Sequence, residues 1–228
     1  MTMDLMPLWI SIKTAGVATI IAIVAGLAFA RFVAFSAWKG KEILDGVLIL
    51  PLVLPPTVIG FILLILLGRT GPIGRLLEDA DIAIVFSWPA AVIAASVVAF
   101  PLMYRTARGA FEQVDPNVLD AARTMGSSEW EVFRLVLLPL SWPSLLAGII
   151  LSFARALGEF GATLMLAGNI PNKTQTIPIA IYFAVESGNR TAAAAWTLII
   201  IILSLMTILA LNYCTNNQKS HRIIRGSR

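Results

Sequence analysis

The spacing of its charges constrains this chain more than any other feature. Only 13% of its 228 residues are charged, about half of what soluble domains carry. The charges leave uncharged runs at 14–30, 46–68, 82–104, 135–154 and 191–218, of 17, 23, 23, 20 and 28 residues. A helix needs roughly 20 residues to cross about 30 Å of hydrocarbon. Backbone groups there must pair within their own segment, so an apolar run that long folds as a helix. With 58% hydrophobic residues and a mean hydropathy of +0.84, the expectation is an all-α integral membrane protein. It forms one domain over 1–228, with five transmembrane helices near 12–34, 46–68, 82–104, 138–166 and 191–213.

The first run also resembles a signal sequence, since Lys13 precedes it and Ala28-Phe29-Ala30 ends it. The charges argue for a retained span instead: Asp4 acidifies the leader, and Arg31, Lys39 and Lys41 follow the apolar run. With the N-terminus outside, eleven basic residues face inward (Arg31, Lys39, Lys41, Arg105, Arg108, Arg123, Arg134, Lys219, Arg222, Arg225, Arg228) and five outward (Lys13, Arg69, Arg75, Lys173, Arg190). This positive-inside bias predicts a multi-pass protein with its C-terminus inside. It also accounts for the basic pI near 9.6 without any nucleic acid partner. The lone Cys214 permits no intrachain disulfide and reads as a small apolar filler.

Three segments lie outside the runs. Residues 69–81 form a solvated external connection with Glu78, Asp79 and Asp81. Residues 168–190 hold an uncharged stretch, 174–185, too short to span, and read as an external helix or re-entrant lip. Residues 105–137 are the most structured on paper. Asp115-Pro116 is an N-cap with proline at the first helical position, and Gly126 is a natural C-terminal stop. Ser128-Glu129-Trp130-Glu131 fits a capping box ahead of the next apolar run, which Pro139 opens. The result is helix, glycine corner, helix. Its apolar side is predicted from Val118, Ala121, Ala122 and Met125, with Trp130 and Phe133 standing out on the second helix. Such a knob either folds back on its own bundle or enters a groove on a soluble partner.

Asp120-Ala121-Ala122, three residues, Gly126, nine residues, then Val136-Leu137-Leu138-Pro139 resembles the EAA loop of ABC-importer permeases. Asp120 stands where that pattern has Glu, and Val136 where it has Ile. The resemblance implies a type I ABC importer permease fold in which Asp120, Ala121, Ala122, Gly126, Trp130, Phe133, Leu138 and Pro139 couple the chain to an ATP-hydrolysing subunit. ATP and Mg then belong to that partner and no cofactor to this chain. The chain itself carries no Gly-x-x-x-x-Gly-Lys-Ser/Thr phosphate loop, and its one His and one Cys lie apart, so neither a catalytic residue nor a metal site is expected. Five spans are few to enclose a pathway, whereas a homodimer would create one on its two-fold axis.

Further stretches resemble molybdate transporter permeases over 38–179: Leu50-Pro51-Leu52-Val53-Leu54-Pro55-Pro56-Thr57, then Arg155-Ala156-Leu157-Gly158-Glu159-Phe160-Gly161, then Asn169-Ile170-Pro171 with Thr176-Ile177-Pro178. The second of these is shared with sulfate permeases. The resemblance implies molybdate import with an extracytoplasmic molybdate-binding protein, sulfate or tungstate being the near alternatives. An ion-coupled secondary transporter is the rival from another class, but it needs no helix-Gly-helix knob and usually shows an internal repeat.

Arg155 and Glu159 are the charges inside an otherwise apolar stretch, four residues apart. Charges at such depth face a cavity or each other. One reading makes them a packing ion pair; the other places Arg155 beside the path of a dianion. Gly158 and Gly161 permit a bend next to them, and Pro55 and Pro56 interrupt the second span.

Overall fold

The computed structural model describes residues 4–78 and 83–225, with side chains described for 4–76 and 83–213. Every regular element among the described residues is helical, and five helices are long and apolar enough to cross a membrane. The proposed roles of Cys214, Glu78, Asp79, Asp81 and the basic tail fall outside the described side chains.

The bundle is organised around α5 (Trp88–Glu112), which packs against α1 (Met6–Phe35), α2 (Lys41–Val53), α3 (Pro56–Leu67), α8 (Leu138–Leu157) and α9 (Gly161–Ala167). Lipid offers no hydrophobic drive between helices, so association depends on close backbone approach. The sequence supplies it: α1 buries Ala15, Ala18, Ala22, Gly26 and Ala30 at spacings of three and four, and α5 buries Ala90, Ala91, Ala94, Ala95, Ala99 and Ala107. At one end Trp88 Nε1 donates to Thr14 Oγ1 at 3.0 Å while Lys13 Nζ lies 3.9 Å from the Trp88 ring centre. Two-thirds of the α5 span (67%) is buried, against 6% for the last span, Arg190–Tyr213. Over its described side chains, to residue 213, that last helix, α11 (Arg190–Arg225), is almost entirely unburied by the bundle.

Several expected boundaries shift. The second run is not one helix: α2 ends at Val53, Leu54 and Pro55 are extended, and α3 starts at Pro56. Two consecutive residues without N–H groups leave the helix ladder nothing to continue on. A short α4 (Pro72–Glu78) follows α3. The third helix starts later than 82, at Trp88, and runs eight residues past 104 to Glu112, taking Arg105 and Arg108 with it. The fourth starts before 138. From α7 (Glu129–Glu131) it continues through a π-turn at Val132–Leu137 into α8, so Pro139 lies within a continuous helix rather than opening it. The wider turn just upstream relieves the clash Pro139 would make with the Leu135 carbonyl. This helix then breaks at residues 158–160 and resumes as α9, so Arg155 and Glu159 do not share one helical face.

α3 and α9 meet backbone to backbone. A Cβ on Gly60 would lie 2.8 Å from the Ala162 Cα and 2.7 Å from the Met165 Cβ. Neither atom can move without shifting α9. Gly60→Val should therefore destabilise the protein by about 2 kcal/mol and lower its melting midpoint in detergent, whereas Gly16→Ala, which meets nothing within 4 Å, should leave the midpoint unchanged.

Candidate functional site

Two places hold the singled-out residues: the corner between α6 (Pro116–Thr124) and α7, and the paired breaks where α2 passes to α3 and α8 to α9.

The corner forms as its sequence dictates. The Asp115 carboxylate accepts from the Asn117 N–H at 2.9 Å and Pro116 begins the helix. At the far end Gly126 has φ +88°, its N–H donating to the Arg123 carbonyl at 3.0 Å and the Ser127 N–H to the Ala122 carbonyl at 3.2 Å. This is a Schellman closure, which requires the left-handed conformation that glycine adopts without penalty. Ser128 then caps α7 in a full capping box with Glu131. A fork of hydrogen bonds sets the angle between the two helices: Arg123 donates to both carboxylate oxygens of Glu129, at 2.7 and 3.2 Å, and to Asp120 Oδ1 at 2.7 Å. Hydrogen bonding to Glu129 first, and to Asp120, raises the Arg123 guanidinium further above its already high ordinary value.

The knob has two faces, one packed on the bundle and one exposed. Leu119, which sequence reasoning missed, is buried, and Ala122 and Leu138 are half-buried against the bundle core. Phe133 does not stand out as expected. It packs beside Phe111 and Trp130, with ring centres 6.0 and 5.6 Å away, and takes the Arg31 guanidinium over its face at 4.7 Å. Facing away, Val118, Ala121 and Met125 recur at helical spacing and are exposed, Met125 at 86%, next to Trp130 at 60% and the exposed Asp120. Together they leave an apolar ridge on the exposed side of the knob.

The breaks lie against each other. Gly161, the first residue of α9, comes so close to α3 that a Cβ would lie 3.2 Å from Thr57 Cγ2 and 3.3 Å from Pro56 Cβ. Pro55 is exposed at this junction and Pro56 half-buried. Glu159 is buried, with its side chain at 1% exposure. Its Oε1 accepts from the Ala162 N–H at 2.9 Å, capping the positive end of α9. Its Oε2 sits 3.2 Å from Arg155 Nη1, an ion pair without hydrogen-bond alignment. Arg155, one turn before Gly158, keeps 31% of its side chain exposed. Glu159 is thus a buried cap, and Arg155, paired with it, is the more exposed member of the pair.

The expected lip contains α10 (Ile177–Glu186). It is clamped rather than loose, the Ile177 N–H donating to Ser11 Oγ of α1 at 2.7 Å and Tyr182 stacking near Phe160 at 5.3 Å. Asn169-Ile170-Pro171 forms a turn closed by Thr174, whose hydroxyl accepts from the Ile170 N–H at 3.0 Å and donates to the Gly168 carbonyl at 3.1 Å. Sequence reasoning also missed an ionic cluster tying α2 to α5, Asp45 with Arg108 and Tyr104. Its one legible trace was the Arg108 to Glu112 spacing of four. Among the described residues no group of three or more His, Cys, Asp or Glu could hold a metal.

With this geometry in hand, residues 18–215 match the family described as binding-protein-dependent transport system inner membrane component. The chain belongs to that family. As such it is a multi-pass inner-membrane component and the permease part of an ABC importer, not itself an ATPase. It is similar to the putative molybdenum transport system permease YvgM of Bacillus subtilis (strain 168), with 48% identity over 203 residues and 89% of each chain covered. It is also similar to the molybdenum transport system permease ModB of Escherichia coli (strain K12), with 44% identity over 202 residues and 88% of each chain covered. Its fold matches a permease chain in a bacterial alginate ABC transporter solved with an alginate pentasaccharide-bound periplasmic protein, at a TM-score of 0.76 and 14% identity, covering 93% of this chain and 78% of that one. The type I importer permease fold expected from the loop pattern is the fold observed.

The corner is testable by itself. Since a Cβ at Gly126 meets nothing within 4 Å, only its positive φ penalises substitution. Gly126→Val should open the corner at a cost of about 1–2 kcal/mol, raising the rate of tryptic cleavage after Arg123 roughly tenfold, while Gly126→Asn should stay within about twofold of the parent.

Proposed function

We propose that this permease forms the translocation pathway for molybdate in an ATP-driven importer, as a homodimer served by two cytoplasmic ATP-binding subunits and an extracytoplasmic molybdate-binding protein. The observation that carries the cargo is the pair of molybdenum permeases resembling this chain over nearly nine-tenths of its length, at 48% and 44% identity. The shared Arg-x-x-Gly-Glu-Phe-Gly stretch keeps sulfate as the second reading.

In this scheme the ridge of Val118, Ala121, Met125 and Trp130, with Asp120 beside it, enters a groove on the ATP-binding subunit, and Gly126, Ala122, Phe133, Leu138 and Pro139 hold it at a fixed angle to α8. Closure of the two ATPases around ATP and Mg draws the two corners together and rotates the halves so that the pathway opens outward; loss of hydrolysis products reverses the motion. Arg155 supplies a positive field along the anion's path. Glu159, Gly158, Gly161, Pro55 and Pro56 shape the break that lets Arg155 face it, and because Glu159 offsets part of the charge the anion is passed on rather than trapped. Selection among tetrahedral dianions then resides mainly in the binding protein.

The N-terminus is assigned to the outside and the C-terminus to the inside by the eleven-to-five distribution of basic residues. The geometry supports this grouping, since Arg31 reaches Glu129 at one end of the bundle while Lys13 meets Trp88 at the other. In a Cys214→Ala background, cysteines replacing the exposed Thr70 and Asn172 should react with a membrane-impermeant thiol reagent added outside intact cells, and one replacing Ser127 should not; labelling at 127 would reverse the orientation and remove the corner from the ATPase side.

Arg155→Gln should lower initial uptake of labelled molybdate and sulfate alike, on the order of tenfold, in vesicles holding ATP with matched binding protein outside. Loss of molybdate uptake alone would place cargo discrimination in this chain and sink the field account.

A further inference from the structure

Resting on the importer reading, we infer that α2 is a hinged gate helix of the pathway and that Asp45 is the latch that fixes it to α5. Its thirteen residues include none that is buried, which sets α2 apart from the spans around it. Leu44, Leu48 and Ile49 touch the core only as half-buried neighbours. Both ends are free to bend. Residues 36–40 ahead of it are not helical, and behind it Leu54 and Pro55 are extended. Pro51, inside the helix, removes the N–H that would bond the Val47 carbonyl. On the side toward α1 and α5 lies an apolar cleft of about 320 Å³, lined by Phe29, Val47, Leu48, Pro51, Val97 and Phe100 among others. A helix so lightly packed, with open volume beside it, belongs to the low-stability part of the structure.

One polar cluster opposes that looseness. Among the described residues, the side-chain hydrogen bonds and ion pairs of α2 all pass through Asp45. Its carboxylate accepts from the Tyr104 hydroxyl at 2.7 Å and pairs with Arg108, whose Nε is held by Glu112 Oε1 at 2.8 Å. Tyr104 is fully buried, so its hydroxyl comes from the rigid centre of the bundle. Arg105 lines the same charged cleft and adds to the positive side. A partly buried carboxylate is stable when partnered and costly when not, so this contact holds α2 where it lies, and a swing of α2 would have to break it. The opposite end of α2 passes through Leu54 and Pro55 to the junction where Pro56 and Thr57 touch Gly161, beside the Arg155–Glu159 break. A swing of α2 about that hinge therefore starts at the pathway itself. Asp45 touches no cargo in this scheme. It is a positioning residue that acts through α2, with Tyr104 and Arg108 as its partners.

The test uses the complete complex, permease with its ATP-binding subunits in vesicles and the binding protein added outside. It follows two readouts. One is the ratio of molybdate imported to ATP hydrolysed. The other is the thiol-labelling rate of Leu44→Cys on α2, a position half-buried against the core, in a Cys214→Ala background. Asp45→Asn should raise ATP hydrolysis without binding protein about fivefold, lower the import ratio to a similar degree and speed labelling at position 44, which is the population shift expected from losing one half-buried ion pair. Asp45→Glu should restore most of the ratio. Tyr104→Phe, which keeps the ion pair, should move both readouts the same way by less, and it serves if the Asn variant fails to assemble. A wild-type ratio and labelling rate in assembled Asp45→Asn complex would overturn the latch, as would a lowered melting temperature with the ratio unchanged. Absence of molybdate import by the wild-type complex would instead overturn the importer reading, because the labelling rate at position 44 is independent of cargo.

Discussion

Hydrocarbon offers no water to a broken helix, so each break in this chain has to be satisfied by protein. The two breaks in the bundle are solved together. Pro55 and Pro56 end α2 without leaving N–H donors to satisfy, since neither residue has one. Glu159 supplies an acceptor to the buried start of α9, at Ala162. Gly161 lets that start rest on Pro56 and Thr57. A side chain at either glycine of this contact, Gly60 or Gly161, would separate two helix starts whose polar groups have nowhere else to go. The tight packing and the buried carboxylate are thus one solution to one constraint, and Arg155 is oriented by it.

The same constraint explains how unevenly the helices are buried. α5 sits among small residues and is largely enclosed, while the last span is nearly bare. In lipid a bare apolar helix costs nothing, so such a surface by itself does not require a second copy of the chain. Under the proposed function, what favours an axis between two copies is that Arg155 is partly open and the described residues supply only five candidate spans.

Much of this was legible in the sequence, for reasons that differ by element. Charge-free runs located the long helices, because bilayer thickness leaves few alternatives. The corner was legible almost to the residue, because its determinants are local: Asp115, Pro116, Gly126, Ser128 and Glu131 each act within four positions of themselves. Where determinants are distant, sequence reasoning failed. Asp45 looked like an ordinary charge ahead of an uncharged run, and only the fold brings it to Tyr104, 59 positions away. Phe133 looked exposed, because nothing in its neighbourhood along the chain announces Phe111 and Arg31. The break after Leu157 was half legible: the glycines gave permission to bend, but α3 pressing on Gly161 decides that the bend occurs.

Arg31 shows how the local and the distant parts join. It lies near the end of α1, and its guanidinium donates to the Glu129 carbonyl at 3.1 Å while covering the Phe133 ring. Glu129 in turn holds Arg123 of α6 through two hydrogen bonds. A displacement applied to the exposed ridge of α6 therefore has two rigid routes into the bundle. One follows the continuous helix from Glu129 toward Arg155. The other crosses at Arg31 to α1, the helix most extensively packed on α5. Since α5 also carries the partners of Asp45, motion arriving through α1 would reach the proposed latch on α2 as directly as motion through α8 would reach the paired breaks, so that under the proposed function the corner acts on both in one step.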